Sequence, residues 1–173
     1  MTETAEWNAR VTAIWQAADE FTDDELRSKI SELVGELPEG APAGLYELAS
    51  SWDSTGHSDV AVPLYRQALA AGLKPDRRRQ AVIQLASSLR NLAQPHEAVE
   101  LLTMERDRDS DELDDGVRAF LALALVDAGR EREAVSIALA ALAEHMTRYQ
   151  RSVRNYARAL VDADTEDDVS TTT

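Results

Sequence analysis

Three aspartates at alternate positions form the pattern in this sequence that comes closest to a metal site. Asp107, Asp109 and Asp111 match the first, third and fifth positions of a helix–loop–helix calcium loop, where carboxylate oxygens bind the cation. The sixth position, however, is Glu112 instead of the glycine that the sharp turn requires. The twelfth is Arg118 instead of a bidentate glutamate. We therefore expect no metal to bind here.

The other residue types that commonly do chemistry are scattered. His57, His96 and His145 include no pair at the i, i+4 spacing of helical zinc ligands, and no nucleophile motif lies near them. There is no cysteine, so thiolate catalysis and cysteine-ligated zinc are excluded. No glycine-rich phosphate loop is present. We expect no catalytic residue, no metal and no cofactor.

A run of arginines raises a different question. Arg77, Arg78 and Arg79 follow Pro75 at a predicted helix start, where the helix dipole disfavours cations. Arginines at a helix start become favourable when negatively charged side chains lie beside them. We expect the acidic run 107–115 to supply that charge.

The overall charge limits the kind of partner. The formal net charge of the 173 residues is −14, which repels phosphate backbones, so we expect no nucleic acid partner. No apolar run reaches the length of a membrane span, and the first residues lack the basic and apolar regions of a signal peptide. We expect a cytoplasmic protein, and the preference for arginine and alanine suggests a bacterial gene.

The composition favours helices throughout. Alanine, leucine, glutamate and arginine dominate, while the chain has only 7 glycines and 5 prolines. Trp7, Val11 and Ile14 recur on one face of a predicted helix. Thr22 and Glu25 have the spacing of a capping box at the start of the next. The predicted fold class is all-α, with about nine helices.

Alanines recur with a period close to 36 residues. Small residues allow two helices to approach closely, and large residues beside them fill the space around the contact. A single helical hairpin of this kind buries too little apolar surface alone, so successive hairpins must stack. The recurring alanines are Ala49, Ala86 and Ala122 in the first helix of each hairpin and Ala61, Ala98 and Ala134 in the second.

This pattern resembles the tetratricopeptide repeat, a helix–turn–helix unit of 34 residues. The best match lies in residues 42–75 and is carried by Leu45, Leu48, Ala49, Trp52, Gly56, Ala61, Tyr65 and Ala68. The stretches "SWDSTG", "AVPLYRQAL" and "QLASSLRNL" also resemble a small bacterial family, tetratrico peptide repeat group five. The resemblance implies a right-handed α-solenoid that serves as a non-catalytic interaction module.

The helix breaks divide this solenoid into hairpins. We predict one domain over residues 1–163, followed by a disordered tail over 164–173. Within the domain, the predicted parts are a leading hairpin over 1–40, repeat units over 42–75, 79–112 and 115–143, and a capping helix over 144–163.

The resemblance also implies a concave groove lined by the first helix of each unit. The predicted groove residues are Tyr46, Ser50 and Asp53, then Ile83, Ser87, Arg90 and Asn91, then Leu123, Val126 and Asp127. Arg90 and Asn91 suit a peptide carboxylate, because a guanidinium forks onto its two oxygens. Alternatively, Arg90 pairs with Asp53 and only holds the units together.

We therefore expect a protein–protein interaction module whose groove binds a protein or peptide. Leu123 and Val126 would be apolar and exposed in the groove, so something should cover them. The N-terminal helix, a client or a second copy of the chain could do so, and we expect a homodimer. The alternative is a small-molecule-binding regulator or an enzyme that uses Tyr46, Asp53 and Arg90.

Overall fold

The computed structural model describes residues 3–108 and 110–169, with side chains described as far as residue 162. These residues contain nine α-helices and no strand, so the predicted all-α class is confirmed. The chain forms two compact units, Met1–Leu92 (unit 1) and Ala93–Thr173 (unit 2). The boundary falls at a turn inside the predicted repeat unit 79–112. The prediction of one continuous domain over 1–163 stays a prediction.

Unit 1 contains five helices, each packed against the next. They are α1 (Ala5–Gln16), α2 (Asp23–Val34), α3 (Pro42–Ser54), α4 (Ser58–Ala70) and α5 (Pro75–Asn91), with a short 3-10 turn (Ala18–Glu20) between α1 and α2. In addition, α3 contacts α5. The first helices of the first two predicted repeat units therefore lie side by side.

The ends of these helices follow from local sequence signals. The Thr22 side chain accepts from the Glu25 backbone while the Glu25 carboxylate accepts from the Thr22 backbone, which confirms the predicted capping box. Pro42 and Pro75 occupy the first turns of α3 and α5, where a proline loses no helical hydrogen bond. Gly56 turns the chain from α3 to α4 with a φ of 82°, which glycine adopts without strain.

Trp7 of the leading hairpin is buried. Trp7, Val11 and Leu33 form a buried cluster with Leu37 and Ala43 at the start of α3. The Trp7 indole N–H donates to the Leu33 backbone carbonyl at 2.9 Å. This bond satisfies the polar end of a buried indole and fixes α1 against α2.

The predicted periodic alanines are buried in both units. Ala49, Ala61, Ala86 and Ala98 are fully buried, Ala134 is 2% exposed and Ala122 is 9% exposed. In unit 1, Ala49 and Ala61 lie on α3 and α4, which pack against each other. The burial of these small residues is confirmed, and their place at the closest contacts between helices stays a prediction.

Unit 2 contains four helices, again each packed against the next. They are α6 (Pro95–Arg106), α7 (Asp114–Asp127), α8 (Glu131–His145) and α9 (Gln150–Val169). Val117, Leu121 and Leu125 bury one face of α7. The Arg132 guanidinium of α8 donates to the backbone carbonyl of Leu160 at 3.0 Å, which ties α8 to α9.

The last helix differs in extent from the predicted capping helix over 144–163. It begins at Gln150, because α8 continues to His145, and it continues to Val169. Helix therefore extends into the segment 164–173 that the sequence predicts as a disordered tail. Positions 170–173 of that segment lie outside the described residues. Across the part of the chain that is described, no helix has both the length and the apolar character needed to cross a membrane.

Candidate functional site

Side chains of α3 and α5 contact each other through hydrogen bonds. The Tyr46 hydroxyl donates to Gln80 Oε1 at 3.0 Å, and Ser50 Oγ donates to Gln84 Oε1 at 3.3 Å. Both pairs are separated by 34 residues, three fewer than the interval from Ala49 to Ala86, so each bond joins residues about one helical turn out of repeat register. Burial raises the pKa of Tyr46 to about 12, which keeps its phenol protonated and able to donate.

Three hydroxyl groups lie near the Asp53 carboxylate at the C-terminal end of α3. Ser88 Oγ donates to Asp53 Oδ1 at 2.6 Å, and the hydroxyls of Tyr65 and Ser58 lie at 3.5 Å from the carboxylate. The Asn91 amide donates to Ser58 Oγ at 3.2 Å. Burial raises the pKa of Asp53, although these hydrogen bonds act in the opposite direction. Asp53 thus connects α3, α4 and α5.

On the other side of α3, α1 contributes a second set of contacts. The Trp15 indole N–H donates to Glu47 Oε2 at 2.8 Å, and the Arg77 guanidinium lies 3.5 Å from Glu47 Oε1. The Glu47 side chain is buried, and burial raises its pKa against the opposing effects of Trp15 and Arg77. A buried carboxylate of this kind requires both partners.

Arg77 is the centre of this second set. Its guanidinium donates to Glu3 Oε1 at 2.6 Å and to Asn8 Oδ1 at 3.0 Å, and it lies 5.8 Å from the Trp7 ring centroid. Lys74 Nζ lies 3.0 Å from Glu3 Oε2. The negative charge that the arginine run requires comes, for Arg77, from Glu3 and Glu47 within unit 1. The expectation that the acidic run 107–115 supplies it is wrong for this residue.

These contacts surround a groove of about 910 Å³ between α1, α3 and α5. Its walls are mostly amides, hydroxyls and charged groups, with Val11, Trp15 and Tyr46 as the large apolar or aromatic parts. The polar lining residues are Glu3, Asn8, Thr12, Gln16, Glu47, Ser50, Asp53, Ser54, Lys74, Asp76, Arg77, Gln80, Gln84, Ser87 and Asn91.

Half of the predicted groove residues meet in this cavity. Tyr46, Ser50, Asp53, Ser87 and Asn91 line it together. Ile83 is buried in unit 1 and Arg90 is half-buried in the last turn of α5. Neither belongs to the described residues that line the groove. The use of the predicted residues for binding stays a prediction.

The three remaining predicted residues lie on α7 of unit 2. Leu123 is 47% exposed and Val126 is 48% exposed, and Asp127 is exposed beside them. The suggestion that the N-terminal helix covers this apolar pair stays a prediction, and the contacts shown for its tryptophans lie in unit 1. Trp7 is buried against Leu33, and Trp15 bonds to Glu47, both within unit 1.

Sequence reasoning missed the contribution of the N-terminal segment to the groove. Glu3, Asn8 and Trp15 contact residues that follow 32 to 74 positions later, and the leading hairpin lacks the repeat signature that aligns the other units.

Clusters of metal-ligand side chains are absent from the described part of the chain. Those residues contain no group of three or more histidine, cysteine, aspartate or glutamate side chains that could hold a metal ion. The predicted calcium-like loop includes Asp109, which lies outside the described residues.

Two comparisons with known proteins give matches. The family model of the tetratrico peptide repeat matches residues 42–160. A crystal structure of nearly identical TPR-like repeats, from a Podosopora anserina protein named for the kinesin light chain, has a TM-score of 0.65 to this chain. It is 20% identical, and the match covers 99% of each chain. A search of curated proteins gives no match. These findings confirm the predicted fold class of tetratricopeptide-like hairpins.

Proposed function

Because the chain belongs to the tetratrico peptide repeat family, we propose that it is a non-catalytic protein-interaction module that binds a segment of a partner protein in the groove of unit 1. The observation that carries the proposal is the groove itself. Three neighbouring helices direct amide and hydroxyl groups into a single cavity of about 910 Å³.

The lining chemistry suits a peptide main chain. Glutamine and asparagine side chains each offer a carbonyl acceptor and an amide donor, which match the N–H and C=O groups of an extended segment. Gln16, Gln80 and Asn91 line the groove and are exposed, so these groups are accessible to a partner. A groove already held open by interhelical bonds binds without first having to order its walls.

The alternative of a small-molecule regulator or an enzyme has weaker support. It relies on Tyr46, Asp53 and Arg90 acting together. Tyr46 donates its hydroxyl to Gln80, and Asp53 accepts from Ser88, so these two side chains already hold the helices together. A raised pKa of Tyr46, about 12, also argues against its use as a base near neutral pH.

Self-association belongs to the same proposal but uses a different surface. On α7, Leu123 and Val126 lie one turn apart and are about half exposed. Tyr149 and Tyr156 of unit 2 are more than 70% exposed. Exposed apolar side chains in this number favour contact with another protein surface. We propose a homodimer that covers the α7 pair.

A blocking substitution tests the use of the groove. Short peptides selected by display on the wild-type protein would be measured by fluorescence anisotropy against Ser87→Tyr, which places a large side chain in the groove wall. We expect at least about a tenfold loss of affinity, because the added ring excludes the peptide from its contacts.

The matched control is Gln67→Tyr, which adds the same ring at an exposed position on α4 outside the groove lining. It should bind as the wild type does. Equal binding by Ser87→Tyr and the wild type would contradict the proposal.

A further inference from the structure

The last helix, α9, carries its charges in an order that its own dipole disfavours. Its first turn contains Arg151 and no acidic residue, and its last turn contains acidic residues and no basic one. Between these turns, Arg154 and Arg158 precede Asp162 along the chain. A helix dipole favours anions near the N-terminus and cations near the C-terminus. The order is therefore unfavourable within one chain, and opposite charges supplied by a second molecule would compensate for it.

The arginines of α9 are accessible to a second molecule. Arg151, Arg154 and Arg158 are exposed, and none of them forms an ion pair with a described residue. Other arginines of unit 2 do form such pairs: Arg118 lies 3.0 Å from Glu144. Because the chain has 32 acidic and 18 basic residues, the lack of acidic neighbours is a feature of α9 and not of the whole chain.

Four charged residues at intervals of four lie on successive turns along one side of α9. We call this set the charge row: Arg154, Arg158, Asp162 and Glu166. From its N-terminal end, the charge row is positive, positive, negative, negative. At about 1.5 Å per residue, it is about 18 Å long.

The charge row is complementary to a reversed copy of itself. When two α9 helices run antiparallel, Arg154 of one faces Glu166 of the other, and Arg158 faces Asp162. Two-fold symmetry repeats both pairs, so every residue of each row faces an opposite charge. A parallel arrangement would instead place like charges opposite one another, which is unfavourable. The charge row therefore specifies both the partner, a second copy of the chain, and its direction.

The charge row lies in the same unit as the apolar pair of α7. Both α7 and α9 pack against α8, and the proposed homodimer covers Leu123 and Val126. Apolar contact provides affinity but little orientation, because the hydrophobic effect is non-directional. Complementary charges fix the register and exclude wrong arrangements. The two surfaces thus have the two functions that a specific dimer requires.

We propose that the two copies of the homodimer associate with their α9 helices antiparallel and their charge rows in contact. The charge row fixes the orientation of the dimer, and the apolar pair of α7 contributes most of its affinity. This inference rests on the self-association proposed above and identifies a second part of the same surface. An acidic segment of another protein would use only the arginines of the charge row and would leave its acidic half without a function.

Charge reversal in each half of the row tests this contact. Arg154→Glu with Arg158→Asp makes the row entirely acidic, and Asp162→Arg with Glu166→Arg makes it entirely basic. Sedimentation equilibrium of the full chain would measure the dimer dissociation constant. We expect each variant alone to dimerise at least about tenfold more weakly than the wild type, because like charges then face each other. An equimolar mixture should associate within about threefold of the wild type, because acidic rows then face basic ones.

Two further variants separate the charge row from folding and from net charge. The fourfold variant that combines both reversals has the opposite charge order, which suits the dipole of α9, and it should dimerise as the wild type does. Arg108→Glu with Arg148→Glu makes the same change in net charge as the acidic variant, at exposed positions outside α9. It should dimerise within about twofold of the wild type, because charges away from the contact are screened. Circular dichroism would show that each variant is folded.

Two results would overturn the inference. One is equal dimerisation of the wild type and a charge-reversal variant, and the other is a mixture that associates no more tightly than its two components. If either occurred while Leu123→Ser with Val126→Ser still weakened the dimer, the homodimer would stand and the antiparallel α9 contact would fail. A wild type that is a monomer at micromolar concentration would overturn both. Peptide binding in the groove is measured separately through Ser87→Tyr.

Discussion

Two first helices of repeat units, α3 in unit 1 and α7 in unit 2, carry different chemistry at equivalent repeat positions. Where α3 has Ser50 and Asp53, α7 has Leu123 and Val126. The two residues of α3 are hydrogen-bonded to α4 and α5, whereas the two of α7 are apolar and about half exposed. The repeat therefore constrains the small buried residues and leaves other positions of the same helices free to carry different chemistry.

The largest expected effect concerns what the two units share. Ala61 in α4 and Ala134 in α8 occupy the same repeat position and are 0% and 2% exposed. Replacing either with leucine forces extra methylene groups into a packed contact, and we expect a loss of about 3 kcal/mol in the free energy of unfolding. Urea denaturation followed by circular dichroism measures it.

Ala138→Leu provides the control, because Ala138 is exposed on α8. It should change the free energy of unfolding by less than about 0.5 kcal/mol. If Ala61→Leu were tolerated equally well, close alanine contacts would not be what holds the hairpins together.

The next largest effect is a loss of stability that should differ between the two units. Asp53→Ala removes the acceptor for Ser88 and for the neighbouring hydroxyls, so buried donors lose their partner. We expect a loss of about 2 kcal/mol in the free energy of unfolding. Val126→Ala, at the equivalent position of α7, should cost less than about 0.5 kcal/mol because Val126 is half exposed. Similar losses from the two substitutions would remove the contrast between the units.

The apolar surface of α7 predicts a change in association instead of stability. Light scattering at micromolar concentration should give about twice the chain mass of 19.0 kDa. Leu123→Ser combined with Val126→Ser should weaken the dimer by about tenfold and shift the mass toward 19.0 kDa. Met104→Ser removes a more exposed apolar side chain, 64% exposed, from α6 and should leave the mass unchanged. A wild-type mass of one chain at this concentration would rule out the dimer.

The smallest expected effect is a difference in pH dependence. Burial raises the pKa of Glu47 in unit 1, so the folded chain binds its proton more tightly than the unfolded chain does. The contribution of Glu47 to stability therefore increases as pH falls through the range just above 4.5. In unit 2, the Arg130 hydrogen bond lowers the pKa of Glu133, so its contribution decreases as pH falls below 4.5.

Urea titrations between about pH 3 and pH 7 check these signs. Glu47→Gln should remove a gain in stability on acidification, and Glu133→Gln should remove a loss. Changes of the same sign in both variants would show that burial does not control Glu47.

Sequence patterns gave the helical hairpins because those depend on local signals and a regular period. Ala49, Ala86 and Ala122 recur once per unit, and each is buried as predicted. The second turn lacked the usual glycine, yet Ala93 adopts a φ of 56° there.

The candidate site was predicted only where it follows the repeat. Tyr46, Ser50 and Asp53 lie at repeat positions and were found from them. Arg77 was assigned the wrong partner, because its true partner Glu3 lies 74 residues earlier, in a segment without the repeat signature. Contacts between distant, non-periodic residues depend on tertiary packing, and no local pattern in the sequence encodes them.

The most direct test of the central proposal is amide hydrogen exchange of the full chain with and without a display-selected peptide. Binding in the groove of unit 1 should slow exchange in α1, α3 and α5 around Gln16, Ser50 and Gln84, and leave α7 unchanged. Protection confined to α7, or spread equally over both units, would contradict the assignment of the binding site to unit 1.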